Sequence, residues 1–294
     1  LKECVKHWYY VHNIKQSAYS DEIQFLLDKF KRLRYGVFKP LIMATFVKKE
    51  NEQDICNLLK IIEQFIFVMF MILSKRSDTG NSSLYDLTHE YFLNQKDIYQ
   101  ASQDISNLLY DKYFIMSDFE KTFDSLFDKG NGYYDWDGLR YFLYEYELYL
   151  KEKTKNNDFK VVWDKFSKKK EESIEHILPQ TPKDKSWREA LKSLNSKDKK
   201  KLTHALGNLV LLANNKNSAL QNNSFEIKKN GIEGSFVGFK NGSYAEQEIN
   251  EEKTWGIQEI QNRTKKLIEF LFGERWGIGL LVERLIRDEY EERN

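Results

Sequence analysis

The sequence predicts a mainly α-helical protein with a small α+β element between residues 173 and 225. Apolar residues recur at helical spacing from residue 1 to about 170, and the 294 residues include only three prolines. Short apolar runs bounded by polar residues at 174–178 and 209–212 indicate two strands instead. We expect a helical domain over 1–158 and a second domain over 159–294, with the boundary in the polar segment Thr154–Phe159.

The first domain reads as a helical bundle. Ser20-Asp21-Glu22 is a capping signal, and the apolar residues that follow it fall on one helix face. A helix over 52–74 has a nearly continuous apolar second half. The run Phe65–Leu73 is too short to span a bilayer, so it predicts a buried core helix. A tyrosine-rich helix is expected over 137–153, and we predict that its tyrosines pack in the core and do not stack on bases.

The second domain carries the polar residues that suggest chemistry. A short strand delivers Glu175 and His176 and stops near Pro179, while Gly207 permits a turn from which Asn208 begins a second strand. A helix then carries Asn217 on its first turn. A short helix is expected in the long loop between the strands, and further helices are expected over 250–272 and 276–292.

One carboxylate, one imidazole and two carboxamides in this order suit phosphodiester hydrolysis. Glu175 and Asn217 supply the oxygen ligands that a hard divalent cation such as Mg²⁺ or Mn²⁺ prefers. His176 is the candidate general base, because imidazole titrates near operating pH. Asn208 is expected to brace the loop by hydrogen bonds to its backbone.

Local lysine runs flank this candidate site although the formal net charge is only +1. A run of like charge is usually a solvated face, but its position beside a phosphodiester site favours DNA contact. His204 either contacts phosphate or holds the loop. The candidate nucleic-acid-binding residues are Lys168, Lys169, Lys199, Lys200, Lys201, Lys216 and His204.

Two cysteines, Cys4 and Cys56, lie far apart and lack the spacing of a structural zinc site or a disulfide framework. No signal or transit peptide is recognisable at the start. A reducing, cytoplasmic location is therefore expected, without membrane association.

The site residues resemble a known motif. Glu175-His-Ile-Leu-Pro-Gln180, Asn208 and Lys216-Asn217 look like the HNH (ββα-metal) nuclease motif. The longer string His204-Ala-Leu-Gly-Asn-Leu-Val-Leu-Leu, with Asn217-Ser-Ala-Leu, resembles the C-terminal domain of GmrSD-type modification-dependent (type IV) restriction endonucleases. Further matching residues are Phe225, Lys228, Tyr244, Trp255, Ile260, Arg263 and Trp276.

The resemblance implies a metal-dependent DNA endonuclease with Glu175 and Asn217 as metal ligands, His176 as general base and Asn208 as the middle motif residue. The wider HNH group more often has aspartate where Glu175 stands. The resemblance also implies phage defence, modified phage DNA as substrate, and a separate N-terminal module for recognition and nucleotide hydrolysis whose motifs are not seen here. Arg263 and Trp276 either buttress the nuclease fold or touch DNA.

Two other classes of function remain open on sequence alone. One is a non-catalytic DNA-binding or assembly module that keeps the ββα shape. The other is an RNA-cleaving nuclease of an abortive defence response. Cleavage of plasmid, linear duplex and RNA side by side distinguishes these alternatives from a DNA endonuclease.

Overall fold

A computed structural model describes residues 1–33, 36–115, 117–119, 121–122, 125, 130–154 and 172–276. The chain divides into two compact units, residues 1–123 and 124–294. The predicted boundary after residue 158 stays a prediction, because residues 155–171 lie outside the described part. The tyrosine-rich helix nevertheless belongs to the second unit and not to the first.

The first unit is helical throughout its described residues. Its α-helices are α1 (Lys2–His12), α2 (Asp21–Leu33), α3 (Lys39–Lys48), α4 (Glu52–Ile66), α5 (Asn81–Phe92) and α6 (Ile98–Asn107). The backbone amide of Ile23 lies 3.4 Å from the Ser20 hydroxyl that accepts its hydrogen bond, as the capping signal predicts. Helix α4 packs against α2 and α6, which places it at the centre of the unit.

Helix α4 continues as a π-helix over Phe67–Ile72. The combined helix Glu52–Ile72 is long and apolar enough to cross a membrane by length and composition alone. Two-thirds of its most apolar stretch is nevertheless buried inside the protein, which agrees with the predicted core helix. Cys56, on this helix, is a buried free thiol.

The second unit surrounds a small antiparallel sheet with helices. Its elements are α7 (Leu139–Thr154), β1 (Glu172–His176), α8 (Lys185–Ala190), α9 (Ser196–Thr203), β2 (Leu209–Ala213), α10 (Asn214–Leu220), α11 (Phe225–Asn230), β3 (Gly231–Ile232), β4 (Phe236–Val237), α12 (Tyr244–Asn250) and α13 (Ile257–Glu269). The predicted mainly α fold with a small α+β element is confirmed. The interstrand loop carries two short helices, α8 and α9, where one was predicted.

The core of this unit packs both strands against the surrounding helices. It includes Ile177 and Leu178 just after β1, Val210 and Leu212 of β2, and Trp187 of α8. Tyr141, Tyr144 and Tyr146 of α7 are also buried, so these tyrosines pack and do not form an exposed stacking surface. The helix predicted over 276–292 falls almost entirely outside the described residues.

Candidate active site

Strands β1 and β2 form the frame of the candidate site. They pair antiparallel, with His176 opposite Leu209 and Glu175 opposite Val210. The next amide, of Ile177, donates to the carbonyl of Asn208 at 3.0 Å. Helix α10 follows β2 without a connecting loop and packs against β1. Strand, long loop, strand and helix therefore occur in the order that the sequence predicts.

Asn208 holds the two ends of the interstrand loop together. Its Oδ1 accepts hydrogen bonds from the Leu178 amide at 2.7 Å and from the indole Nε1 of Trp255 at 3.1 Å. Its Nδ2 donates to the carbonyls of Leu178 at 3.0 Å and Thr203 at 2.7 Å. The side chain is completely buried. This is the bracing position expected from sequence, whereas its part in catalysis stays a prediction.

The turn before Asn208 is fixed by α13. A Cβ at Gly207 would lie 2.1 Å from the carbonyl oxygen of Ile260, so only glycine lets the helix come this close. Arg263 donates from Nη1 to the carbonyls of Gly207 at 2.7 Å and Leu209 at 2.9 Å. Because Arg263 is buried in these contacts, it buttresses the fold, which is the first of its two predicted roles.

The candidate general base, His176, has both ring nitrogens in hydrogen bonds. Its Nε2 lies 3.0 Å from Nδ1 of His204, and its Nδ1 lies 3.2 Å from the amide nitrogen of Gln180. An amide nitrogen donates, so the assigned orientation of Gln180 makes Nδ1 of His176 the acceptor. The proton of a neutral His176 then lies on Nε2 and is donated to His204. His204 therefore holds the ring of His176 from within the loop.

The surroundings of His176 keep its ring uncharged. Burial, then His204 and then Lys228 lower the pKa of His176 to about 3. Burial and the charge of Lys200 also lower the pKa of His204, whereas the charge of Asp135 raises it. Near pH 7 both rings are thus neutral, and the lone pair on Nδ1 of His176 accepts the hydrogen bond from Gln180. A base with so low a pKa is weak, and a nearby anionic phosphate raises its proton affinity.

Sequence reasoning missed two residues that lie beside the histidines. The ring of Tyr134 is 37% exposed, and its centroid lies 4.6 Å from that of His176. Asp135 follows it on the same 3₁₀-helix and acts electrostatically on His204. The segment lies some forty residues before His176 in the sequence. No local motif links the two, so only structure reveals this contact.

Glu175 has a partner that the sequence did not predict. Its Oε1 lies 2.5 Å from Nζ of Lys228 in a buried ion pair. Burial raises the pKa of Glu175 and lowers that of Lys228, while the charge of each partner opposes the other's shift. Successive strand residues point to opposite faces, and Glu175 and His176 accordingly have different partners. The two side chains thus have different hydrogen-bond partners, although Lys228 also binds the carbonyl of His176.

The two predicted metal ligands, Glu175 and Asn217, lie on β1 and on the helix that follows β2. The Glu175 carboxylate binds Lys228 through Oε1 and has a further hydrogen bond with the backbone of His176. Asn217, which is half-buried on α10, lies on the helix that packs against β1. The described residues contain no group of three or more His, Cys, Asp or Glu suited to a metal. A carboxylate and a carboxamide offer the oxygen atoms that hard divalent ions prefer, and Glu175 and Asn217 stay predicted ligands.

The predicted DNA-contacting lysines fall into three groups. Lys199, Lys200 and Lys201 lie on α9, whose C-terminal end leads directly to His204. Lys216 instead pairs with Glu246 and donates to the carbonyl of Gly238 at 3.1 Å. We therefore leave Lys216 out of the proposed DNA-binding residues. Lys168 and Lys169 lie outside the described residues.

Comparison with known proteins supports a single family. A family model described as the C-terminal domain of GmrSD restriction endonucleases matches residues 117–270. Neither a curated protein nor a solved structure matches the chain. The matched range covers more than half of the chain and includes β1, β2, α10 and both histidines. The chain therefore belongs to the family of GmrSD restriction endonuclease C-terminal domains, which makes it a nuclease domain.

Proposed function

We propose that this domain is an HNH-type, metal-dependent DNA endonuclease that hydrolyses phosphodiester bonds. The observation that carries the proposal is His176 at the end of β1, neutral and held by His204, with Asn208 bracing the loop around it. This arrangement supports a base that is already positioned before substrate arrives, which lowers the entropic cost of the reaction.

The chemistry assigned to the protein is proton transfer at Nδ1 of His176. Gln180 is exposed and its contact with Nδ1 is long at 3.2 Å, so a water molecule can take its place. The water oxygen attacks phosphorus, its proton passes to Nδ1, and the bond from phosphorus to the 3′ oxygen breaks. His204 accepts the Nε2 proton of His176 as a hydrogen bond throughout and keeps the ring oriented.

Glu175 and Asn217 are the residues assigned to the ion. A bound Mg²⁺ or Mn²⁺ supplies stabilisation of the charge that gathers on the phosphate and on the leaving oxygen. Glu175 and Asn217 would hold the ion through side-chain oxygens, and Lys228 would restrain the Glu175 carboxylate through Oε1.

The basic helix α9 is assigned to the DNA backbone. Its exposed Lys197 and Lys200 precede His204, which brings positive charge next to the site. Phosphate contacts position a protein without reading sequence, so we expect little base selectivity in this domain. We further propose a cytoplasmic role in restriction of modified phage DNA, with recognition and nucleotide hydrolysis supplied by a separate N-terminal module.

A cleavage assay with matched substrates tests the proposal. Supercoiled plasmid, linear duplex and total RNA are incubated with the domain and Mg²⁺ or Mn²⁺, with and without EDTA, beside an identically purified His176→Ala variant. The proposal predicts nicked or linear plasmid that both EDTA and the substitution suppress. DNA binding without cleavage under every metal condition indicates a non-catalytic module, and cleavage confined to RNA indicates a ribonuclease. Either outcome overturns the proposal.

A further inference from the structure

Lys228 is a lysine whose side chain is completely buried at the candidate site. It lies on α11, and its Nζ contacts three oxygens that belong to consecutive residues. These are Oε1 of Glu175 at 2.5 Å, the carbonyl of His176 at 3.2 Å and the carbonyl of Ile177 at 3.0 Å. An ammonium group has three N–H donors, so these three oxygens satisfy all of its hydrogen-bonding capacity.

The three contacts meet where β1 ends and the loop begins. The amide of Ile177 donates to the carbonyl of Asn208, just before β2, while Lys228 donates to the carbonyl of the same peptide unit, that of His176, and to the next one, that of Ile177. The backbone that carries the His176 side chain is therefore fixed from two directions. Hydrogen bonds from a charged donor are about twice as strong as neutral ones, so this restraint is stiff.

Stability alone is a weak explanation for a buried charge at this position. Apolar residues of similar volume often stabilise a core as well as a buried ion pair does, because the pair loses its hydration. The retained ammonium differs from an apolar side chain in holding two carbonyls in fixed positions. That restraint acts on the residue to which the proposed function gives the proton transfer.

We propose that Lys228 is a positioning residue for the hydrolysis. It fixes the backbone at His176 and Ile177 together with the carboxylate of Glu175, and thereby sets where the imidazole of His176 points. The proposal rests on the assignment of His176 as the general base. Lys228 itself is buried and does not touch DNA in this account.

Lys228→Met tests this role, with Lys229→Met as the matched control. Lys229 is the next residue on α11 and reaches the carbonyl of Glu252 at the surface. Lys228→Arg is the second variant, because it keeps a positive charge beside Glu175 and so preserves folding if Lys228→Met unfolds. Arginine delivers its donors in a planar fork, which changes the contacts with the two carbonyls.

Two readouts are needed. The first is the single-turnover rate and the KM for plasmid DNA. Lys228→Met is expected to lower the rate at saturating DNA by about 10- to 100-fold with KM unchanged, since small displacements of a catalytic group have effects of this size. Lys228→Arg should lower it less. The second readout is the imidazole NMR spectrum of the metal-free chain, in which the His176 signals should move while those of the exposed His89 stay in place.

Parent-like His176 signals together with a parent-like rate in a folded Lys228 variant would overturn the proposal. So would equal effects of Lys228→Met and Lys229→Met. The NMR readout separates this result from failure of the proposed function, because it needs no cleavage. An inactive parent chain refutes the nuclease assignment, whereas the His176 signals still report whether Lys228 positions the ring.

Discussion

The two sides of strand β1 differ sharply although they begin from adjacent residues. On the histidine side, His176 makes hydrogen bonds of 3.0 Å with His204 and 3.2 Å with Gln180, and the half-exposed ring of Tyr134 lies beside it. On the ion-pair side, Glu175 meets a completely buried Lys228. The two histidines and the ion pair are all buried, so the difference lies in their partners: neutral rings meet on one side and an ion pair forms on the other.

The difference teaches how a single strand serves two requirements of hydrolysis. Under the proposed function, proton transfer needs a nitrogen that can change its hydrogen-bond partner, and the partner of Nδ1 of His176 is the exposed side chain of Gln180. Precise geometry needs restraint, which the ion pair and the carbonyl contacts of Lys228 supply from the opposite face. The alternation of side chains along a strand separates these requirements without separating the residues in sequence.

The strongest way to break this arrangement is Asn208→Ala, because Asn208 supports the ends of the loop on which both sides depend. The substitution leaves buried groups of Leu178, Thr203 and Trp255 without their partner. We expect the free energy of unfolding to fall by at least about 3 kcal/mol, from several unpaired groups at about 1–3 kcal/mol each. Urea unfolding followed by tryptophan fluorescence measures this.

Asn223→Ala is the matched control for Asn208→Ala. Its side chain donates one hydrogen bond, from Nδ2 to the carbonyl of Ala219, in the same unit. A loss of about 1 kcal/mol is expected from a single bond of this kind. Equal losses in the two variants would show that the loop does not depend on Asn208.

Acid should destabilise the protein through the buried imidazole of His176. The folded-state pKa of His176, about 3, lies below the unfolded value of 6.5, so the unfolded chain binds the proton first as pH falls. Stability is full above pH 6.5 and declines toward the folded pKa. By pH 5 the loss from this residue amounts to about 2 kcal/mol. Unfolding of the parent and of His176→Gln at pH 7 and pH 5 measures it.

The variant is expected to lose that much less stability than the parent over the same pH interval, because glutamine does not titrate. His204 contributes in the same direction in both chains, since burial lowers its pKa as well. An identical decline in parent and variant would mean that His176 is charged in the folded protein at pH 5.

His204→Ala sharpens the comparison within the histidine side. The substitution removes the acceptor that holds Nε2 of His176, while the ion-pair side stays intact. The loss of one orienting hydrogen bond, about 1.4 kcal/mol, corresponds to about tenfold in single-turnover rate. His89→Ala, at an exposed position of the first unit, is the control. A rate within twofold of the parent would show that His204 merely fills the loop.

The smallest expected effect lies outside both sides, on the lysines of α9. Replacing the exposed Lys197 and Lys200 with alanine should weaken DNA binding and reduce the slope of log K against log salt by about 0.9 for each lost phosphate contact. The rate at saturating DNA should stay unchanged. Replacement of Lys240 and Lys253, exposed elsewhere on this unit, is the control, and an equal change there would remove α9 from the binding surface.

The sequence predicted those parts of the site that follow from local patterns. The end of β1 at His176, the second strand after Asn208 and the helix with Asn217 all rest on short apolar runs and turn residues. The bracing position of Asn208 followed from the tendency of asparagine side chains to bind loop backbone. Gly207 was also singled out, although its reason is the close approach of α13 and not a turn.

The remaining parts depend on contacts between distant segments. Lys228 lies about fifty residues from Glu175, and Tyr134 about forty from His176, so no periodicity connects either pair. A lysine in a sequence looks the same whether it is exposed on α9 or buried on α11. Lys216 illustrates the limit, since its pairing with Glu246 follows from the packing of α10 near α12.

The most direct test of this account is the single-turnover rate of His176→Ala on plasmid DNA with Mn²⁺, compared with His89→Ala at equal concentration. Circular dichroism and urea unfolding establish that both variants are folded. The account predicts that His176→Ala lowers the rate by about 10² to 10⁴, the usual contribution of a general base, while His89→Ala cleaves as the parent does. A folded His176→Ala that cleaves as fast as His89→Ala would contradict it.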